Sequence, residues 1–228
     1  MAENKFHIVN PRCPDLASDL EVSRIFDHWN RLWSNVYSEL KIQSPPLVEQ
    51  FFNCDAMGLL TIGGGFAGSV HFRTFDLRVM PVLELDYFKN YVSAVEGLMK
   101  MKIWKVTTGE FFCIDPEIRK TNSKLNFAPV LVGLAARYAF SLGSEALIGP
   151  TRKSHGMDKI TRNFGATVLL ESYIGRHNTP IDFVAVTKKG FTPYPNEHVE
   201  AQILNLWSTD SKNSSLPKLE LPELDKAA

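Results

Sequence analysis

Cysteine is scarce in this chain: three in 228 residues, Cys13, Cys54 and Cys113. Their wide, odd-numbered spacing forms neither a disulfide framework nor a metal-ligand motif, so reduced thiols with structural roles and no metal site are expected. Net charge is missing as well, because 25 basic and 25 acidic residues cancel. That excludes a nucleic-acid footprint spread over the whole protein, although local basic clusters remain open. No apolar run is long enough to span a bilayer, and the start MAENKFHIVNPRC lacks the hydrophobic segment of a secretory signal. A cytoplasmic protein without stable membrane insertion is the expectation. There is also no glycine-rich phosphate motif. What the chain does have is 44% hydrophobic content, enough for one sizeable core with an insertion or tail.

Hydrophobic periodicity divides the sequence into elements. Lys5 to Val9 reads as a strand, and Leu20 to Ile42 as a helix with Ile25, Trp29, Leu32, Val36 and Leu40 at spacings of three and four. Ser44-Pro45-Pro46 ends that helix, and a short one follows from Leu47 to Asp55. Gly58 to Ile62 and Phe66 to Thr74 read as two strands joined through Gly63-Gly64-Gly65, a hairpin signal. A short strand at Ala146 to Ile148, a helix near His155 to Asn163 and strands near Thr167 to Ile174 and Ile181 to Thr187 complete the pattern.

The most informative stretch runs from Gly109 to Gly143. Phe111, Phe112, Cys113 and Ile114 form a run too apolar for a half-exposed strand, which predicts a central position in a sheet with both faces covered. Asp115-Pro116 ends the strand, and Arg119, Lys120 and Lys124 then fall where a small-residue helix is expected to begin. Free N–H groups and the helix dipole favour an anion at such a point. The bland alternative is a solvated connection. Pro129 opposes a regular helix as early as Lys124 and shifts the expected start to near Phe127.

Ile114-Asp115-Pro116-Glu117-Ile118-Arg119 resembles the opening of the pyrophosphate loop in the GNAT superfamily of acyltransferases, Val-Asp-Pro-Glu-Tyr-Arg-Gly-x-Gly-x-Gly. Lys120, Asn122 and Lys124 stand where that family has glycines. The order of elements over residues 5 to 189 is also that of the family. The resemblance implies an α/β (α+β) fold with a mixed, largely antiparallel twisted sheet flanked by helices. It implies N-acyl transfer from an acyl thioester, acyl-CoA or an acyl carrier protein, to a small amine acceptor. The donor would lie against Cys113, Ile114, Arg119, Lys120, Thr121, Asn122, Ser123 and Lys124, although Cys113 by itself reads as a small core residue.

Glu110 is the first candidate base for the acceptor amine, with an ion pair to a neighbouring basic residue as the alternative. The position of the family's thiolate-protonating tyrosine is Thr161 here, a poor acid; either the thiolate leaves without help from the protein, or Tyr138, Tyr173 or His155 supplies the proton, of which His155 has the most suitable intrinsic pKa and, as the alternative, is a polar residue at a helix start. Arg152, Lys153, Lys159 and Arg162 form a basic cluster suited to the 3′-phosphate of coenzyme A or to an acidic carrier protein. The missing tyrosine and glycines keep a second class open, a non-catalytic module that binds an acyl thioester or a protein partner.

Two regions depart from the family's plainest members. Asp76 to Lys102 lies between the third and fourth strands, and Leu85, Phe88, Val92, Val95 and Met99 predict a helix there with one apolar face. An insertion at this place resembles the acyl-homoserine-lactone synthases and long-chain N-acyl amino acid synthases. Arg31 to Leu40 is also similar to their Arg-x-x-Val-Tyr-x-Glu pattern. Such a helix either closes the core or walls an acyl tunnel. The expected division is a GNAT-like domain over 1–190 and an extension over 191–228. That extension holds a helix near 196–207, with Val199, Ile203 and Leu206 at helical spacing, and then a disordered tail.

Overall fold

The structure, a computed structural model, describes residues 4–12, 19–120, 127–174 and 179–210. Its strands are β1 (Lys5–Val9), β2 (Ala56–Ile62), β3 (Gly65–Asp76), β4 (Lys105–Ile114), β5 (Ala146–Arg152), β6 (Thr167–Ile174) and β7 (Pro180–Thr187). They form one sheet in the order β1-β2-β3-β4-β5-β7-β6, in which β4 and β5 are parallel and every other pair is antiparallel. Its helices are α1 (Asp19–Glu39), α2 (Val48–Phe52), α3 (Met80–Leu83), α4 (Asp86–Lys89), α5 (Val92–Lys100), α6 (Pro116–Lys120), α7 (Phe127–Ser141), α8 (Met157–Asn163) and α9 (Glu197–Asp210). A 3₁₀ turn, Lys153–His155, precedes α8. This is the mixed, largely antiparallel sheet that the family resemblance implies.

Local chemistry explains the main joints. Gly63 and Gly64 both take positive φ, +58° and +83°, as the two-residue turn between β2 and β3 requires. In α7, Pro129 falls in the first turn, where a missing N–H costs no helical hydrogen bond. Strand alternation sends Leu60, Val70, Phe72, Leu147 and Val186 to one face of the sheet, against α7. Burying side chains such as Leu131 and Leu134 there stabilises the fold by about 1.5–3 kcal/mol each.

Helix α7 is apolar on nearly every side because the sheet covers one flank and α9 the other. Val199, Ile203 and Leu206 of α9 belong to the same core as α7. A nearly sealed ion pair, Arg137 Nη2 to Glu200 Oε1 at 2.5 Å, joins the two helices, and the Arg137 guanidinium lies over the Phe191 ring. The helix expected near 196–207 thus packs into the main core, and the residues after Asp210 lie outside the described residues.

The other face is covered in two parts. Over β2 and β3, α1 and α2 contribute Ile25, Trp29 and Phe51 against Met57 and Leu59. Over β4, β5 and β7, the insertion contributes Phe88, Ala94, Val95 and Leu98 against Val106, Ala146, Ile148, Phe183 and Ala185. This insertion is three short helices where the periodicity predicts one. The chain leaves helical geometry at Leu85 and Tyr91, and so brings the rings of Tyr87 and Tyr91 to 6.2 and 4.5 Å from that of Phe183. As a result Leu85 and Val92 are 39% and 55% exposed, and the apolar face runs through Phe88, Ala94, Val95 and Leu98. No helix among the described residues is long and apolar enough to cross a membrane.

Candidate active site

The site begins where β4 parts from β5. Their pairing covers only Val106, Thr107 and Thr108 against Ala146, Leu147 and Ile148. Gly149 marks the last close approach, since a Cβ there would meet the Gly109 carbonyl oxygen at 2.9 Å. Beyond that point β4 keeps only its β3 neighbour, and the register shifts: Ser69 faces Cys113, but His71 faces Glu110. One extra residue on β4 makes a bulge, and Phe111 within it takes φ +49°. For a bulky side chain that conformation costs on the order of 1–3 kcal/mol, and such strain concentrates at functional sites.

Beside the bulge lies a cavity of about 890 Å³. Residues Gly109 to Ile114 of β4 form its floor. Leu32, Trp33, Val36 and Tyr37 of α1 make one wall, and Leu85, Tyr87 and Tyr91 of the insertion make the opposite one. Through the gap between the strands it reaches Ala128 of α7, Pro150 to Arg152 of β5, His155 and Met157. The helices of the two-part cover therefore stand apart along the bulged half of β4.

Glu110 lies in this cavity and is held by Arg73 of β3. Arg73 Nε and Nη2 donate to Oε1 at 2.9 and 2.7 Å, Nη2 also reaches Oε2 at 2.9 Å, and Thr108 Oγ1 donates to Oε1 at 2.7 Å. The guanidinium lies 5.4 and 5.7 Å from the rings of Phe75 and Tyr87, which fix it in place. Burial, with the nearby Glu110 charge, pushes the Tyr87 phenol well above its usual range and keeps it protonated. Oε1 is thus crowded with donors, whereas Oε2 receives one and has lone pairs left for a substrate N–H or a water.

Cys113, Ile114 and His155 also line the cavity. Cys113 Sγ lies 3.3 Å from Ser69 Oγ, and burial pushes its thiol up, away from thiolate chemistry. Arg119 and Lys120 sit in the last turn of α6 and not at the start of α7, a correction to their expected position. The cause is Asp115, whose Oδ1 accepts from the Glu117 N–H at 2.9 Å and so starts a separate turn immediately after β4. Burial would raise the Asp115 pKa, but the Glu117 N–H and the Arg31 guanidinium at 2.7 Å outweigh it and hold the carboxylate below its usual range. Thr121, Asn122, Ser123 and Lys124 lie outside the described residues.

The proton-donor candidates separate clearly. Thr161 is buried and donates to the carbonyls of Met157 and Asp158 within its own helix. Tyr138 packs on Phe72 in the core at 4.7 Å, and burial raises its pKa to about 12. Tyr173 meets Tyr91 edge-on at 5.8 Å, and of the three alternatives only His155 lines the cavity. In the basic cluster, Lys153 and Arg162 reach the fully buried Asp182 at 3.2 and 3.4 Å. Arg152 lines the cavity. Arg73, Tyr87 and Tyr91 were not foreseen from the sequence, and none carries a local signal: Arg73 meets Glu110 from another strand, and the break at Tyr91 separates it from the helix that carries Tyr87.

No family model matches the chain, and no curated protein matches it in sequence. Solved structures do. FeeM, an N-acyl amino acid synthase from uncultured soil microbes, is 13% identical with a TM-score of 0.59, covering 84% of this chain and 95% of its own. Arylalkylamine N-acetyltransferase 2 from Aedes aegypti is 12% identical with a TM-score of 0.57, covering 81% and 98%. MesI, a CoA-dependent acyl-homoserine lactone synthase, is 13% identical with a TM-score of 0.52, covering 90% and 95%. The seven-stranded sheet with its flanking helices is the GNAT-like α/β fold of these structures.

Proposed function

We propose that this protein is an N-acyltransferase that moves an acyl group from an acyl thioester, acyl-CoA or acyl carrier protein, to a small amine. The observation that carries this reading is the strained bulge at Phe111, set at the parting of β4 and β5 on the floor of the cavity. Backbone groups released from the ladder at such a point suit the oxygen of a thioester carbonyl, which becomes an oxyanion when the amine attacks. The fold and its solved neighbours support the same reading, since those neighbours are named for acyl transfer.

In this reading the donor reaches the bulge through the gap between the strands. Its phosphates are met by the charge of Arg119, Lys120 and Lys124, the sequence's replacement for the missing glycines. Arg152, which lines the cavity, is a further cation. The acceptor amine enters between α1 and the insertion and hydrogen-bonds to Glu110 Oε2, which takes its proton directly or through water as the C–N bond forms. The C–S bond then breaks, and His155 is the candidate that returns a proton to the thiolate.

A second reading, a binding module without turnover, is favoured by the helix-bound Thr161 hydroxyl and by the bidentate grip of Arg73 on Glu110. One experiment separates the two. Acyl-CoA substrates of graded length are mixed with a panel of primary amines, and free thiol is followed together with the mass of the amide. Amine-dependent thiol release establishes the enzyme, whereas binding of acyl-CoA without release under every pairing establishes the module.

A further inference from the structure

The left-handed conformation of Phe111 is unfavourable for phenylalanine, so something outside the β-ladder must hold it there. Its ring is surrounded by three others. Trp33 lies at 5.0 Å with an interplanar angle of 82°, Trp29 at 5.4 Å and 65°, and His71 at 5.2 Å and 50°. Trp29 and His71 also stack on each other at 5.7 Å, and both are buried at 1% exposure. The indole N–H of Trp29 has no hydrogen-bond partner among the described residues. Burial lowers the His71 pKa to about 3, so the imidazole packs as a neutral ring. These polar rings thus serve by shape, and neither Trp29 nor His71 lines the cavity, so neither touches substrate there.

We propose that Trp29, Trp33 and His71 form a socket that clamps the Phe111 ring and thereby holds the β4 bulge in the conformation that receives the acyl carbonyl, which makes Trp29 and His71 positioning residues. The inference rests on the acyltransferase reading for its catalytic consequence, but the clamp itself is a statement about backbone conformation. The anchor works because a side chain fixed by three rings leaves its own backbone few alternatives. His71 adds a second constraint, since it is the β3 residue that faces Glu110 across the register shift.

The test uses the full-length protein, decanoyl-CoA as donor and the amine that gives the fastest thiol release. Phe111→Gly and Phe111→Ala both remove the ring, but only glycine takes positive φ without cost. The glycine variant is therefore expected to exceed the alanine variant in kcat by about tenfold or more. His71→Ala is expected to lower kcat by about 10- to 100-fold, the scale of a small misplacement of reacting groups, with KM for decanoyl-CoA changed less than about threefold. His71→Phe restores the wall and most of the rate. In the Phe111→Gly background, His71→Ala should cost less than about threefold, because glycine does not need the clamp.

Equal kcat for Phe111→Gly and Phe111→Ala, or an equal His71→Ala penalty in both backgrounds, overturns the proposal. If His71→Ala does not fold, the glycine-to-alanine comparison at position 111 decides alone. Wild-type protein that releases no thiol with any amine defeats the acyltransferase reading, and the clamp is then judged by the NMR backbone carbon shifts of Phe111. Loss of the left-handed signature in His71→Ala supports the clamp, and its retention overturns it.

Discussion

From Lys105 to Thr108, β4 is bonded to β3 on one side and largely to β5 on the other, and Thr107 closes its polar account by hydrogen bonds to Thr74 and Ser144 at 3.0 and 2.7 Å. From Gly109 to Ile114 the same strand has β3 alone, carries a bulge with a strained phenylalanine, and forms the floor of the cavity. The contrast shows how the strain is tolerated. A rigid, fully paired segment fixes where the strand starts, and side chains from α1 and β3 fix where the loosened segment goes. Mutations in the two halves should therefore divide into those that unfold the protein and those that disable it.

The sharpest test of that division is Glu110→Gln in the loosened half. Turnover is expected to fall by roughly 10²- to 10⁴-fold at neutral pH with little change in donor affinity, as measured by steady-state thiol release. A variant with near-normal turnover would remove Glu110 from the chemistry; one with a lowered melting temperature and lost affinity would reduce it to the partner of Arg73. Next in size is Phe88→Ala in the insertion, above the paired half. Phe88 is 2% exposed and packs on Phe75, so a loss of about 3–5 kcal/mol in denaturant unfolding is expected, with relative rates across acyl lengths unchanged.

Leu85→Ala should do the reverse. This side chain lines the cavity and is 39% exposed, so stability should change by less than about 0.5 kcal/mol while the preference among acyl lengths moves by about tenfold. Competition between two acyl-CoA lengths in one reaction reads that ratio, and an unmoved ratio would mean that the acyl chain runs elsewhere. The smallest effect concerns pH. His71 titrates near 6.5 when unfolded but is lowered to about 3 by burial in the fold, so only the unfolded chain takes up its proton in between. Its contribution to stability is full above pH 6.5 and falls as pH is lowered toward 3. His71→Phe removes this slope, and urea midpoints between pH 7 and 4 should then decline less steeply than in wild type.

Much of this architecture could be read from local signals. The hairpin glycines, the run Phe111 to Ile114 and the placement of Pro129 each act within a few residues, and β6 has the bounds that its alternation predicts. The insertion misled because apolar spacing of three and four continues across Leu85 and Tyr91, where contact with Phe183 overrides helical continuity. Arg73 was invisible for a related reason. It meets Glu110 across 37 positions of sequence, and an isolated arginine on a strand carries no sign of its partner. The candidate site was legible as a strand end with Glu110 on it, whereas its walls come from α1 and α4, elements that meet β4 only in three dimensions.

One feature of the core also bears on how the chain is made. Helix α7 is apolar on nearly all sides, yet its outer cover, α9, lies about 55 residues further along the chain. At about 5–20 residues per second, a growing polypeptide exposes that second flank for on the order of 3–11 seconds before Val199, Ile203 and Leu206 leave the ribosome. During that interval Arg137 also waits for Glu200, a charge facing an unfinished wall. Completion of this core is thus tied to the arrival of α9, the last of the described helices.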